Sequence, residues 1–428
     1  MKLLIKNGRV IDPSQSLDET LDLLIVEGKI AELSERYTGE VDEELDANGL
    51  VVAPGLIDIH VHLREPGYEY KETVLTGCRS AVAGGFTAVA CMPNTDPPND
   101  SPSVTRHILD LARDAQLAKV YPVAAATKEL KGEELTEMGL LKDAGAVAFS
   151  DDGRPIFNGQ VMRRSLEYSR ALQMPVVQHA EDLEIAAGGQ MNEGVVSARL
   201  GLAGHPGTAE SAMVFRDISL ARLTGGHLHV AHVSTKESLW AIEWAKSKKV
   251  KVTTEVTPHH LLLTDEDVGN YNTQAKMKPP LRAREDQTAL VEALKSGLID
   301  CIASDHAPHH VDEKDCPFAD AAFGIVGLET TLPLIIEKFV KPGTLTLARA
   351  VDLLSTRPAK IFGLPGGTLA KGSPADVTIF STKDVRAINP DHFLSRGRNT
   401  PFKGWKVSCA VIATLVNGRV VYRDGALA

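Results

Sequence analysis

The stretch Leu56-Ile57-Asp58-Ile59-His60-Val61-His62-Leu63-Arg64 follows Pro54-Gly55 and alternates apolar and polar residues. Alternation with a period of two predicts a β-strand, and it places Asp58, His60 and His62 on one face. Two imidazoles spaced in this way can bind one metal ion, most often zinc. A lone His-x-His pair in a strand is more often structural, so the rest of the chain must decide between the two interpretations.

The composition of the chain excludes several classes of protein. At 428 residues it can bury a large core and hold more than one domain. A net charge of −10 without any basic run argues against nucleic acid or an anionic membrane as a partner. The 5 cysteines lack paired close spacing, which predicts reduced thiols in a cytoplasmic protein. No apolar run reaches the length of a membrane span, and we expect no signal peptide.

Residues 54–362 alternate short apolar strands with helical stretches, which predicts βα units around a parallel sheet. The expected strands are 56–63, 86–92, 120–126, 146–150, 175–180, 228–233, 252–258 and 300–304. Eight βα units in about 300 residues favour an α/β fold of the (β/α)8 TIM-barrel type, as the catalytic domain. A doubly wound open sheet is the alternative, but no Gly-x-Gly-x-x-Gly motif follows the first strand.

Residues 1–53 and 363–428 are rich in short strands and turns instead. Asn7-Gly8, Glu27-Gly28 and Asn417-Gly418 each lie between apolar runs, which is typical of hairpin turns. The simplest arrangement is one small β-sandwich domain formed from both chain ends. Two unrelated β appendages are the alternative.

Side chains that bind metals or anions follow almost every predicted barrel strand. In a barrel these strand ends converge on one face, where barrel active sites lie. The candidates are His60, His62, Arg64, Asn94, Asp151 or Asp152, His179, His232, Asp305 and His309. Four histidines and one or two carboxylates exceed the three protein ligands of a typical mononuclear zinc site, so we expect two metal ions. Asp305 is the carboxylate best placed to move a proton.

Four other histidines are expected to lie outside this site: His227 and His229 as structural residues, and His107 and His205 as surface residues. His227 and His229 share strand parity with each other but not with His232, so both sets cannot face the site. The role of His259-His260 stays open between a supporting layer and plain structure.

Several motifs resemble those of one enzyme family. Segment 52–62 is similar to the signature of the amidohydrolase superfamily. The motifs HLREPG (62–67), MPNT (92–95), SDHAPH (304–309) and FGIVGLE (323–329) resemble the bacterial class I dihydroorotases more narrowly. The similarity continues to segment 372–376 in the C-terminal β region, and the motifs occur in the order of that family.

This resemblance implies a zinc-dependent cyclic amidohydrolase that interconverts N-carbamoyl-L-aspartate and L-dihydroorotate in pyrimidine biosynthesis. It implies two Zn²⁺ ions per subunit, with the ligands His60, His62, Asp152, His179, His232 and Asp305. Asp152 would bridge the ions, and Asp305 would also be the acid/base. The implied substrate contacts are His62, Arg64, Asn94, Lys278, His309, Phe323 and Gly324. Lys278 stands where the relatives carry Asn, so a contact there depends on its ammonium meeting an anionic substrate.

Two alternatives stay open at this point. A hydantoinase or allantoinase would be expected to carry a carboxylated lysine after strand four, where this chain has Asp151-Asp152. A non-catalytic subunit that supports aspartate transcarbamoylase would be expected to lose ligands that this chain keeps. We also expect a homodimer and an association with aspartate transcarbamoylase. The polar loop 310–322 follows the catalytic strand and is expected to close over substrate as a lid.

Overall fold

The computed structural model describes residues 1–428, and most of its strands belong to two large sheets. The strands are β1 (Lys2–Asp12), β2 (Leu17–Val26), β3 (Lys29–Ser34), β4 (Glu43–Asp46), β5 (Val51–Pro54), β6 (Leu56–Val61), β7 (Phe86–Cys91), β8 (Lys119–Ala125), β9 (Ala148–Ser150), β10 (Pro175–Gln178), β11 (Met191–Asn192), β12 (Gly204–His205), β13 (His227–Val230), β14 (Val252–Val256), β15 (Cys301–Ile302), β16 (Val377–Ser381), β17 (Arg386–Ala387), β18 (Lys406–Val407), β19 (Ala410–Val416), β20 (Arg419–Arg423) and β21 (Ala426–Leu427).

The α-helices are α1 (Val74–Ala83), α2 (Pro102–Ala115), α3 (Met138–Ala144), α4 (Gly159–Leu172), α5 (Leu183–Ala186), α6 (Val195–Leu200), α7 (Thr208–Thr224), α8 (Lys236–Ser247), α9 (Pro258–Leu262), α10 (Arg284–Ser296), α11 (Thr331–Ile335), α12 (Leu347–Val351) and α13 (Arg357–Phe362). None of these helices has the length and apolar character that crossing a membrane requires.

Eight parallel strands form the central sheet, in the order β6-β7-β8-β9-β10-β13-β14-β15. A bridge between Val61 and His306 joins the first strand to the segment after the eighth, so the sheet is a nearly closed barrel. The predicted (β/α)8 barrel is therefore confirmed. The sixth strand ends at Val230, earlier than expected, because the backbone bends away before His232, whose φ is +28°.

The barrel strands bury both faces, which explains why most of their residues are apolar. Leu56 and Val61 pack in the large cluster that the helices cover, whereas Ile57 packs with small residues such as Ala88 and Ala90. Asp58 pairs with Val89 and Val61 with Cys91, so β6 carries one extra residue between these two pairs. This bulge breaks the alternation, and the predicted placement of Asp58 on the same face as His60 and His62 is wrong.

The second large sheet has nine strands, in the order β21-β20-β19-β16-β5-β1-β2-β3, with β4 paired to β1. Strand β5 from the N-terminal region pairs with β16 from the C-terminal region, in a register that sets Val52 opposite Ile379. Its core likewise mixes residues from both ends, among them Ile5 and Leu415. One β structure built from both chain ends is thus confirmed, and the alternative of two unrelated appendages is wrong.

Two of the three predicted hairpin turns are present. Glu27-Gly28 and Asn417-Gly418 connect paired antiparallel strands, and all four residues have positive φ, as tight two-residue turns require. Asn7-Gly8 instead lies inside β1, where the pairing with β2 shifts between Ile5 and Gly8. The turn predicted there is wrong, because a β-bulge uses the same left-handed residue chemistry as a hairpin.

Candidate active site at the C-terminal face of the barrel

The polar residues at the strand ends converge around a cavity of about 270 Å³. The lining includes His62, Arg64, Asn94, Asp152, His179, His232, Lys278, Asp305, His309 and Phe323. His60 is fully buried beside them. A larger cavity of about 650 Å³ lies between α2 and the β19–β20 turn, but no histidine or carboxylate lines it. The smaller cavity is therefore the candidate active site.

Asp152 lies at the centre of four histidines. Its Oδ1 is 3.5 Å from His60 Nε2, 3.6 Å from His232 Nε2 and 3.7 Å from His179 Nδ1. Its Oδ2 is 3.6 Å from His62 Nε2. His60 Nε2 and Asp152 Oδ1 are buried and have no hydrogen-bond partner. Buried polar atoms without partners are costly, so this donor set fits the coordination of metal cations.

Asp305 adds a second carboxylate to the same cluster. Its Oδ1 is 3.1 Å from His62 Nε2 and 3.5 Å from His60 Nε2. Burial alone would raise the pKa of Asp305, but His60 and His62 outweigh that effect and lower its pKa to about 2. The carboxylate is therefore ionised and can accept a proton.

The backbone is strained at three residues of the site. Arg64, His232 and Asp305 have φ values of +64°, +28° and +47°, in the left-handed region. Such residues cost about 1–3 kcal/mol each and persist where the surrounding structure holds them. All three follow the ends of barrel strands, so the strain turns their side chains into position at the mouth of the barrel.

A second layer of residues holds the histidines from behind. His60 Nδ1 is 2.5 Å from Glu255 Oε1, and His62 Nδ1 is 2.9 Å from Asn94 Oδ1. Each contact directs the Nδ1 proton outward and leaves the Nε2 lone pair toward Asp152. Glu255 was not among the predicted site residues, although it is the one charged residue of the seventh strand, Val252–Val256.

Glu181, which follows the fifth barrel strand, is a second supporting carboxylate that was not among the predicted site residues. It lies 3.4 Å from His179 Nε2, 3.0 Å from His205 Nε2 and 2.9 Å from Lys278 Nζ. Although burial opposes ionisation, His179 and His205 together with Lys278 lower the pKa of Glu181 far below its usual value. The predicted surface position of His205 is wrong, because a buried carboxylate requires such partners. His107 is exposed, as predicted.

The structure separates the two adjacent aspartates after the fourth strand. Asp151 accepts a hydrogen bond from the backbone N–H of Thr127 at 2.9 Å and another from the Thr127 hydroxyl. These bonds hold its carboxylate outside the cavity, whereas Asp152 lines it. Strand periodicity could not choose between Asp151 and Asp152, because the strand ends at Ser150 and the following turn sets the direction of both side chains.

All the predicted substrate residues except Gly324 line the cavity. Arg64 donates through Nε to the Pro308 carbonyl at 3.3 Å, and its Nη2 lies 3.4 Å from His309 Nε2. His309 Nε2 is also 2.9 Å from the Phe323 carbonyl oxygen. A Cβ at Gly324 would lie 2.7 Å from the His309 ring, so only glycine allows this close approach. Lys278 lines the same cavity, but its ammonium pairs with Glu181.

The remaining histidines do not line the cavity. His260 lies between the Thr257 hydroxyl at 2.8 Å and the Pro279 carbonyl at 2.9 Å, which is a structural position. The ring of His259 packs against it at an interplanar angle of 51°, with ring centroids 4.6 Å apart. His227 and His229 are buried within the barrel, as expected of residues outside the site.

Two buried lysines fasten the loop 310–322 to the neighbouring segment. Lys314 Nζ donates to the carbonyls of Thr273 at 3.0 Å, Lys276 at 3.2 Å and Ala322 at 2.6 Å. Lys276 Nζ donates to two loop carbonyls at 2.7 and 2.9 Å. The loop therefore lies beside Phe323 at the cavity wall, and its movement as a lid stays a prediction.

Comparison with known proteins agrees with this arrangement. Residues 49–238 match the family model described as Dihydro-orotase-like. The chain is 52% identical over 424 residues to a dihydroorotase of Geobacter metallireducens, covering 99% of this chain and 100% of the relative. It is 50% identical to a dihydroorotase of Syntrophotalea carbinolica, with 99% of each chain covered.

Among solved structures, the L-hydantoinase (dihydropyrimidinase) from Arthrobacter aurescens superposes with a TM-score of 0.90 at 29% identity. The match covers 100% of this chain and 97% of that enzyme. A dihydropyrimidinase from Brevibacillus agri superposes with a TM-score of 0.87 at 24% identity, which shows a shared fold.

Proposed function

The chain belongs to the dihydroorotase family of cyclic amidohydrolases, and from this we propose that it interconverts N-carbamoyl-L-aspartate and L-dihydroorotate in de novo pyrimidine biosynthesis. Relatives named dihydroorotase, about 50% identical along the whole chain, support this assignment. The chemistry is the hydrolysis of a ring amide and, in the reverse direction, its closure with loss of water.

One observation carries the proposal beyond family membership. The cluster around Asp152 shares its small cavity with the guanidinium of Arg64. A guanidinium next to an amide-hydrolysing centre suits a ring that bears a carboxylate, because Arg binds carboxylates through two charge-assisted hydrogen bonds. Dihydroorotate has that carboxylate, whereas dihydrouracil is the same ring without it.

The proposed cofactor is a pair of zinc ions. His60 and His62 would hold the first ion, His179 and His232 the second, and Asp152 both. When bound, the metal pair lowers the pKa of water and polarises the carbonyl under attack. Glu255 and Asn94, as described above, keep the Nε2 atoms of His60 and His62 free for this role.

Asp305 is the proposed proton carrier. In hydrolysis its ionised carboxylate accepts the proton of the attacking water and passes it to the leaving ring nitrogen, as the C–N bond breaks and a C–O bond forms. In synthesis the ureido nitrogen attacks the carbon of the protonated side-chain carboxyl group and gives its proton to the Asp305 carboxylate. Asp305 passes that proton to the departing hydroxyl, which leaves as water as the C–N bond forms and the C–O bond breaks. Arg64, with Asn94 and His309 nearby, would hold the substrate carboxylate throughout.

The two adjacent aspartates provide a matched test of this proposal. We expect Asp152→Asn to lose bound zinc and dihydroorotate hydrolysis together, because it removes an anionic oxygen from the centre of the cluster. Asp151→Asn, isosteric and one residue away, should retain both. Elemental analysis and hydrolysis rates with dihydroorotate, dihydrouracil and hydantoin provide the measurement. Preference for a ring without a carboxylate would instead favour a hydantoinase-type enzyme, and equal behaviour of the two variants would contradict the metal assignment.

We further propose residues 54–362 as the catalytic domain and residues 1–53 with 363–428 as the β-sandwich domain, as the two sheets suggest.

A homodimer is supported by Leu223, Trp240 and Trp244, which are exposed on the adjacent helices α7 and α8. Association with aspartate transcarbamoylase is proposed from the family resemblance alone. A cytoplasmic location fits five free cysteines. The mass of the protein in solution, with and without that partner, tests both assemblies.

A further inference from the structure

A continuous chain of hydrogen bonds runs through the barrel interior to His60. It begins at His227, the first residue of β13, whose Nε2 is 2.9 Å from Thr253 Oγ1. The same hydroxyl is 2.8 Å from His229 Nδ1, and His229 Nε2 is 3.1 Å from Glu255 Oε2. The other oxygen of Glu255 is 2.5 Å from His60 Nδ1. The chain therefore links the N-terminal end of the barrel to a proposed metal ligand.

The bonds in this chain are satisfied by one arrangement of protons. Each oxygen of Glu255 lies within hydrogen-bond distance of a histidine ring nitrogen, and a carboxylate oxygen can only accept such a bond. Both histidines then donate to Glu255, which leaves His229 Nδ1 to accept the Thr253 hydroxyl proton. That hydroxyl accepts from His227, which is neutral because burial lowers its pKa to about 3. Every donor thus points toward Glu255.

Glu255 connects this chain to both proposed metal positions. Besides His60 Nδ1, its Oε1 accepts the backbone N–H of His232 at 3.3 Å. A buried carboxylate in a barrel core costs more than an apolar side chain of the same size, so it adds no stability by itself. Its orientation, however, decides which nitrogen of His60 is protonated and where the ring points.

His229 and Glu255 also lie close to Cys301, with their nearest ligand atoms within 4.8 Å of one another. Unlike His60, whose Nε2 has no partner, His229 uses both ring nitrogens in hydrogen bonds, to Thr253 Oγ1 and to Glu255 Oε2. The two polar side chains are therefore better explained by their connection to His60.

We propose that His229 and Thr253 are positioning residues for the metal ligand His60, which they orient through Glu255. The N–H of His229 fixes the carboxylate so that its other oxygen faces His60, and Thr253 fixes the tautomer of His229. This inference rests on the metal centre proposed above, but it concerns residues that line no part of the cavity.

Three substitutions separate positioning from packing. His229→Leu removes the donor to Glu255, His229→Gln can restore one amide N–H donor, and Cys301→Ala disturbs the same layer without breaking a bond of the chain. Zinc affinity would be measured by competition with a chromophoric chelator, and the ligand geometry by the absorption spectrum of the cobalt-substituted protein. The melting temperature of each metal-free protein reports on packing alone.

We expect His229→Leu to weaken zinc binding about 10–100-fold, the usual effect of removing a supporting partner of a ligand. His229→Gln should recover much of that loss, and Cys301→Ala should bind zinc like the wild type. Thr253→Val, which is isosteric, should shift affinity and cobalt spectrum in the same direction and carries the test if His229→Leu does not fold. Unchanged zinc affinity in the His229 and Thr253 variants would overturn the inference, and so would equal losses of zinc affinity in His229→Leu and Cys301→Ala. Neither result would affect the proposed metal centre. Absence of zinc binding in the wild type would overturn the metal centre itself.

Discussion

Replacing Arg64 with methionine should separate recognition of the substrate carboxylate from the chemistry of the ring. The substitution keeps the alkyl stem but removes the guanidinium, which lies at the cavity wall beside His309. Hydrogen bonds to charged groups contribute about 1.5–3 kcal/mol each. Two such bonds would sum to about 3–6 kcal/mol, and the lower end applies because Arg64 is partly exposed to solvent. A loss of about 3 kcal/mol corresponds to roughly a 100-fold lower kcat/KM for dihydroorotate.

The assay compares dihydroorotate with its methyl ester, which keeps the ring but lacks the negative charge. We expect the decrease for dihydroorotate to appear mainly in KM, because the carboxylate contact is made in both ground and transition states. The ester should be hydrolysed almost equally by the wild type and Arg64→Met. Zinc content and melting temperature serve as controls for the metal centre and the fold. An unchanged KM for dihydroorotate, or equal losses with both substrates, would refute the assignment of Arg64.

Two further predictions concern the proton carrier and the loop beside it. Asp305→Asn keeps one oxygen donor but cannot accept and release a proton, so kcat should fall about 10²–10⁴-fold. The zinc content and the melting temperature should stay unchanged. A decrease in kcat of less than about tenfold with zinc bound would exclude Asp305 as the proton carrier. Burial lowers the pKa of Lys314 to about 7, below its value in the unfolded chain. The unfolded state therefore binds more protons than the folded state between about pH 7 and 10. The free energy of unfolding should rise with pH in that range. Lys314→Met should reduce this rise, as measured by urea unfolding at about pH 7 and 9. The substitution should also speed hydrogen exchange in residues 310–322. The same rise and the same exchange rates in both proteins would contradict this role of Lys314.

The architecture was largely predictable from local pattern. Alternation of short apolar strands with helical stretches indicated the eight-stranded barrel, and the turn at Asn417-Gly418 was recognised by its residue types. The same local chemistry failed at Asn7-Gly8, because a bulge and a hairpin both use left-handed residues. The prediction from alternation also failed at Asp58, because one extra residue in β6 places this side chain on the opposite face from the one predicted.

The sequence by itself determined which strand ends carry ligands, because in a barrel every strand directs its C-terminal end to the same face. Only the tertiary structure decided which partners support them. Glu255 lies 195 positions from His60 and Glu181 lies 24 positions from His205, and no periodicity relates such residues. Their contacts depend on closure of the barrel and on turns just beyond the strands. Local sequence patterns determine strand, helix and turn, whereas the pairing of buried charges is determined by whichever distant groups the closed fold brings within hydrogen-bond distance.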